Sequence, residues 1–275
     1  LLYIRFPRII VAIIVGANLA VSGALLQSVM QNPLADPGLT GVSSGASLAA
    51  IIVMLIFPKF SYLVPIVAFL GGSVACALVY ILAWKDGIKP VRIILAGVAV
   101  NAMMGGGTSL LSILYNDKIQ GVLLWVNGSI SGKNWEDIKL FGLYSLIGLV
   151  LSIFCIRKSN ILLLGDEMAA NLGVDTNKYR LVISLVAVFI AAISTAIVGV
   201  IGFVGLVVPH IARLLIGSDY KYLLPFSMII GSILLLLGDT FARTVASPIE
   251  LPVGTIMAIC GGPFFLYLLR KGQKQ

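Results

Sequence analysis

Charge is scarce in this chain. Only 11% of its 275 residues are Asp, Glu, Lys or Arg, 59% are hydrophobic, and the mean hydropathy is +1.07. A soluble domain carries roughly a quarter charged residues, so this chain lacks the polar surface to stay in water. It has one histidine, His210, and three cysteines, Cys76, Cys155 and Cys260, set far apart inside apolar runs. A single histidine cannot build a multi-histidine metal site, and neither C-x-x-C nor H-E-x-x-H occurs. The cysteines read as small packing residues. His210, just after Pro209, reads as a hydrogen-bonding partner of a neighbouring helix. G-x-x-x-x-G-K-[ST] is missing, which excludes a phosphate-cradling loop of that kind. No serine or acid is paired with a visible base, so hydrolysis has no candidate machinery. There is also no initiator Met and no charged leader, and the chain reads as a trimmed piece of a longer one.

What is present is apolar length. A bilayer core about 30 Å thick needs about 20 apolar residues per helix. Nine such segments can be marked, at 7–29, 40–57, 62–84, 92–114, 136–156, 179–199, 203–217, 222–241 and 252–269. The runs are continuous, as in 181–208 and 222–238, whereas a transmembrane β-barrel alternates polarity. The expected fold is therefore all-α, a polytopic transmembrane helical bundle forming one domain over 1–275. Turn and charge signals separate the segments, among them Asp36-Pro37-Gly38, Lys85-Asp86-Gly87, Gly217-Ser218-Asp219 and Ser247-Pro248. Residues 119–130 are apolar but too short to span, and read as a re-entrant or interfacial helix.

Nine spans put the two ends of the chain on opposite sides. With the C-terminus inside, the inner connections hold 12 cations: Lys85, Lys89, Arg92, Arg157, Lys158, Lys178, Arg180, Arg213, Lys221, Arg270, Lys271 and Lys274. The outer ones hold the other 7 of 19, and the excess of inner Lys and Arg favours this orientation. Many of the 29 glycines stand at small-x-x-small spacing, where they let membrane helices approach closely. Asn18, Gln27 and Asn32 either line a pathway or bridge helices. Residues 19–26 and 195–202 each lead into a glycine-rich bend and a proline-containing stretch, a loose sign of an inverted repeat.

Three stretches carry a more specific signal. They are IRFPRIIVAIIVGANLAVSGALLQSVMQNPLADPGLTGVSSGASLA at 4–49, LLGDEMAANLGVDTNKYR at 163–180, and 202–270 with GFVGLVVPHIARLLIG, GDTFAR and ELPVGTIMAICGGPFFLYLLRK. Together they resemble the FecCD-type permease family, the transmembrane subunits of ATP-binding-cassette (ABC) importers for ferric siderophores, haem and cobalamin. The resemblance runs along essentially the whole chain and begins at the family's second span. It implies a type II importer permease fold with nine spans present of an expected ten, the first being absent. It also implies a second permease subunit, most simply in a homodimer, two ATPase subunits holding ATP and Mg, and an extracytoplasmic substrate-binding protein. The setting would be the bacterial cytoplasmic (inner) membrane, and this chain would be neither an enzyme nor the holder of a cofactor. Ferric siderophore, haem and cobalamin all stay open as substrates at this point.

Residue by residue, the resemblance makes the connection 159–180 the cytoplasmic coupling loop. Gly165, Asp166, Glu167, Ala170, Leu172 and Gly173 would form short helices that insert into the ATPase, with acids near a helix start. Arg5 and Arg243 occupy positions where the family offers arginines to carboxylates of the binding protein, a role that suits the guanidinium fork. Each also has a plainer reading: Arg243 as a helical i,i+4 pair with Asp239, Arg5 as an interfacial anchor. Pro90 and Val91 fall at the cytoplasmic gate, where the family often has small hydroxyl residues, a departure that bears on gate detail. Asn101, Met103 and Met104 follow in the same span, and flexible or small polar side chains suit a pathway for bulky cargo. The alternative of another class, an ion-coupled secondary transporter, calls for mid-membrane acids, whereas here acids gather in connections and at span ends.

Overall fold

A computed structural model describes residues 3, 5–85, 87–247 and 249–272. Asp86, Pro248 and Lys274, named above in connections, lie outside the described residues. Each apolar segment becomes a helix. The α-helices, in chain order, are α1 (Arg5–Val29), α2 (Val42–Ile56), α3 (Val64–Ala83), α4 (Pro90–Leu114), α5 (Ile119–Val126), α6 (Trp135–Leu162), α7 (Asp166–Asn171), α8 (Thr176–Val198), α9 (Val204–Ile216), α10 (Tyr220–Thr244) and α11 (Val253–Gly272). Their starts follow local chemistry. Asn134 forms a capping box with Asp137 at α6, the carboxylates of Asp175 and Asp219 cap α8 and α10, and Pro90 takes the first position of α4.

The bundle has two ends. At one, which we call the Arg8 end, Arg8 of α1 meets Asp239 of α10 and Glu250. At the other, the Arg180 end, the last residue of α1 meets Arg180 near the start of α8. Helices α1 and α8 are buried along most of their lengths, pack against each other and run in opposite directions. α1 also packs on α6, α9 and α10. Small residues make this possible. A Cβ added to Gly16 would stand 2.2 Å from the Gly231 carbonyl oxygen, and one on Gly23 would stand 1.8 Å from that of Gly205. Backbones this close gain van der Waals contact that larger side chains would forbid. Asn18 donates to Ser145 and Ser194 hydroxyls, Ser22 to the Ala187 carbonyl, and Gln27 to carbonyls of α9. Asn18 and Gln27 are therefore helix bridges.

The count of nine spans needs refinement. Among the described residues six apolar helical stretches are long enough to cross a membrane. α2 has 15 residues and α9 has 13. At 1.5 Å per residue they reach only about 22 and 20 Å, and the bilayer core is about 30 Å. Both are short because the chain before them re-enters the bundle. The turn Pro37–Thr40 lies alongside the third turn of α4, where Asn101 holds the Gly38 carbonyl and the Leu39 carbonyl packs on Gly97. From the opposite end, Gly199–Phe203 descends until Phe203 packs on Gly261, well inside α11. Phe203 itself has φ of 67°, an unusual backbone for a bulky residue, and starts α9 there. The loose repeat seen in the sequence thus corresponds to a long buried helix, a re-entrant break and a short helix, present twice in opposite directions. Residues 119–130 supply α5, which packs on the end of α2 through Val122, Ile51 and Leu55.

Candidate functional site

The Arg180 end brings together the residues expected at the ATPase contact. Gly165, with φ of 89°, turns the chain out of α6, and the six-residue α7 follows. Gly173, with φ of 71°, closes it, and its N–H bonds the Ala170 carbonyl. Asp166 and Glu167 occupy the first turn, where the helix end favours negative charge. Glu167, Ala170 and Leu172 are exposed, as are Leu163, Leu164 and Met168, and only Ala169 is buried. Apolar side chains gathered in a polar connection mark an interaction surface more often than a solvated loop.

Behind α7 stands Arg180, at 1% exposure the largest fully buried side chain described. Its Nη1 and Nη2 donate to the two carboxylate oxygens of Asp166, at 3.1 and 2.7 Å. Nη1 also reaches the Ile88 carbonyl at 2.9 Å, and Nε the Val29 carbonyl at 3.2 Å. A buried cation is costly unless paired and hydrogen-bonded, and here one guanidinium satisfies a carboxylate and two main-chain acceptors. The Ile88 N–H is bonded in turn by Asn177 Oδ1 at 2.8 Å. Both main-chain polar groups of Ile88 are thus held by the first turns of α8. Two residues on is Pro90, and next to it Val91, two-thirds exposed at the start of α4. Arg92 donates to the Lys85 carbonyl, which closes this connection on itself.

Other predicted residues are placed as follows. Asn101 is half-buried and donates to Gly38, and it accepts from the Ser44 hydroxyl at 2.6 Å, so its amide anchors the re-entrant turn. Met103 is exposed on α4, whereas Met104 packs against the core. His210 lies half-buried in α9, and its ring makes no hydrogen bond among the described residues, contrary to the bridging expected of it.

At the Arg8 end, Arg5 is exposed in the first turn of α1. Arg243 Nε stands 3.5 Å from Asp239, the i,i+4 geometry that its spacing implies, though too loose for a hydrogen bond. The tighter partner of Asp239 is Arg8, with Nε and Nη2 both at 2.9 Å from carboxylate oxygens. Arg8 Nη1 binds Glu250 at 2.8 Å. That hydrogen bond holds the Glu250 carboxyl below its ordinary range. Sequence reasoning did not single out Arg8, Glu250, Asn177 or the burial of Arg180. Only the Asp239–Arg243 spacing was a usable signal.

Buried helices running both ways, re-entrant breaks and, among the described residues, six apolar helices long enough to cross a membrane define a polytopic membrane protein. The FecCD transport family model matches residues 1–271, and the chain belongs to that family. It is 44% identical over 270 residues to the Fe(3+)-citrate import system permease protein YfmD of Bacillus subtilis, covering 98% of this chain and 81% of that one. It is 42% identical over 280 residues to the iron(3+)-hydroxamate import system permease protein FhuG of the same organism, covering 97% and 82%. Among solved structures, an inward-facing metal-chelate type ABC transporter superposes with a TM-score of 0.90 at 32% identity, covering 98% of this chain and 87% of that one. The fold is that of a type II ABC importer permease.

Proposed function

We propose that this chain is the membrane-spanning permease subunit of an ABC importer that moves a ferric chelate, of the citrate or hydroxamate kind, across the cytoplasmic membrane. The observation that carries this reading is α7, a short exposed helix with acids at its start and apolar side chains around it, joined to the buried helices through Arg180. On this reading α7 seats in an ATPase subunit, and ATP with Mg is held and hydrolysed there. This chain contributes the pathway and no catalytic group. The Arg180 end faces the cytoplasm, in keeping with the excess of cations on that side, and the C-terminus lies there too.

A second permease copy completes the channel, and its half-channel partner meets faces that include the exposed side of α4. Pro90 and Val91 form the gate, with Met103 further along the same helix. The Arg8 end receives the binding protein. Arg5 is free to meet a partner carboxylate, and Arg243 can do so by leaning away from the acid it shares with Arg8. Rim pairs of this kind set orientation and on-rate more than affinity.

The reading is tested by co-purification of the ATPase subunit with the permease from membranes. Glu167→Arg, which reverses charge on the exposed face of α7, is expected to lose the ATPase while the permease still accumulates. Retention of the ATPase by that variant at the unmodified level counts against α7 as its seat.

A further inference from the structure

We propose that Arg180 is a positioning residue that links the ATPase-contacting helix to the gate, so that displacement of α7 is transmitted to the start of α4 through one guanidinium. This rests on the reading of α7 as the ATPase contact and adds the route by which movement leaves it.

Arg180 bonds three segments that are far apart in sequence: α7 through Asp166, the α3–α4 connection through the Ile88 carbonyl, and the end of α1 through the Val29 carbonyl. Burial of a cation near a helix N-terminus is doubly unfavourable, by desolvation and by the helix dipole, so its position demands these partners. Asp166 is half exposed, whereas the guanidinium is not. The carboxylate therefore sits where a partner protein can move it, and the cation sits where the movement must be passed inward. Asn177, three residues before Arg180, holds the N–H of the same residue, Ile88. Gly87, with φ of 102°, lies against that asparagine and leaves the hinge no side chain to interpose. Ile88 itself is 2% exposed, and Pro90 begins α4 two residues later. A shift of the first turns of α8 thus carries the Ile88 peptide, and with it the gate residues. Gln31 adds a parallel tie, donating to the Leu162 carbonyl at 2.9 Å and lying 3.5 Å from Asp166. Coupling between sites needs a physically connected element whose placement both sites bias, and this guanidinium is such an element.

The test uses the full-length permease assembled with its ATPase and binding protein in proteoliposomes, with radioactive ferric citrate as the probe. Spin labels are placed at Val91 of both permease copies, in a background where the exposed native thiol Cys260 is replaced by serine. In the unmodified protein the label separation changes on addition of ATP and vanadate. In Arg180→Gln it is expected to stay fixed, and iron imported per ATP hydrolysed to fall about tenfold, while hydrolysis itself stays within about twofold. Arg180→Lys should behave like Arg180→Gln, because an ammonium cannot present the planar fork that reaches three acceptors. If Arg180→Gln does not accumulate in the membrane, Asp166→Ala, which removes the carboxylate held by Arg180, and Asn177→Ala, which removes the second hold on Ile88, are expected to show the same loss in weaker form.

Unchanged label movement and an unchanged iron-to-ATP ratio in Arg180→Gln, or in both Asp166→Ala and Asn177→Ala, overturn the proposal. An ATPase that never binds the unmodified permease contradicts the function proposed above and this linkage with it. Binding and movement in the unmodified protein that persist in the variants overturn the linkage alone.

Discussion

Each end of the bundle sets an arginine against an aspartate, but the two arginines keep different company. Among the described residues Arg8 is bonded to side chains alone, the carboxylates of Asp239 and Glu250, and Asp239 is shared with Arg243. Arg180 has one carboxylate and two main-chain carbonyls. Side-chain partners can rotate to follow a cation, and a cluster of them tolerates small movements of the helices. Main-chain acceptors cannot follow without moving their segment. The Arg8 cluster is therefore a set of charges that can re-pair in place, and Arg180 is tied to the main chain of two other segments. On the proposals above, the same residue type would serve recognition at one end and transmission at the other, and what separates the two is whether its partners are side chain or backbone.

Substitutions can break this contrast in graded steps. The largest effect is expected from Arg180→Leu. It strands the buried Ile88 and Val29 carbonyls, at a cost of about 1–3 kcal/mol each, and removes the partner of Asp166, which is half exposed and adds little. Thermal melting of the purified permease in detergent checks this. Asp239→Ala should come next, at about 2 kcal/mol by the same melting assay, because Arg8 keeps Glu250 but two cations are left facing each other. A smaller loss for Arg180→Leu than for Asp239→Ala would erase the distinction drawn here.

The smallest effect is expected from Glu250→Gln, below about 1 kcal/mol, since that carboxylate is nearly half exposed and solvent screens the pair. Its pH dependence has a definite sign. The folded-state pKa is depressed by Arg8, so the contribution is present above the unfolded value and is lost as pH falls through the folded one. Melting curves of wild type and Glu250→Gln should therefore converge on acidification below the ordinary glutamate range. Divergence there would show that Arg8 does not hold the charged form.

Much of this architecture was legible in the sequence because membrane helices announce themselves by length and apolarity. The segment marked at 92–114 is observed as Pro90–Leu114, and that at 136–156 as Trp135–Leu162. Depth was not legible. α2 and α9 are as apolar as their neighbours, and what makes them start inside the bundle is the backbone at Gly41 and Phe203, with φ of 82° and 67°. Glycine at 41 was compatible with such a turn, but nothing about Phe203 implied a left-handed residue. The short helix at Asp166–Asn171 lies in a stretch that was readable as a motif, with the burial of Arg180 hidden. Its sequence neighbours Asn177 and Lys178 are polar, so it looked like one more loop cation, and its partners lie 14, 92 and 151 residues away. Arg243 paired as its i,i+4 spacing allowed, whereas Arg8 found its acid 231 residues off.

On the function proposed above, this chain is a passage driven by an ATPase on another chain. Uptake of radioactive ferric citrate and ferric hydroxamate into vesicles bearing the whole complex tests it most directly. Uptake of one of these chelates is expected only with the binding protein, the ATPase subunits and internal Mg-ATP all present. Uptake that persists without ATP and without the ATPase subunits, carried by an ion gradient alone, would contradict it.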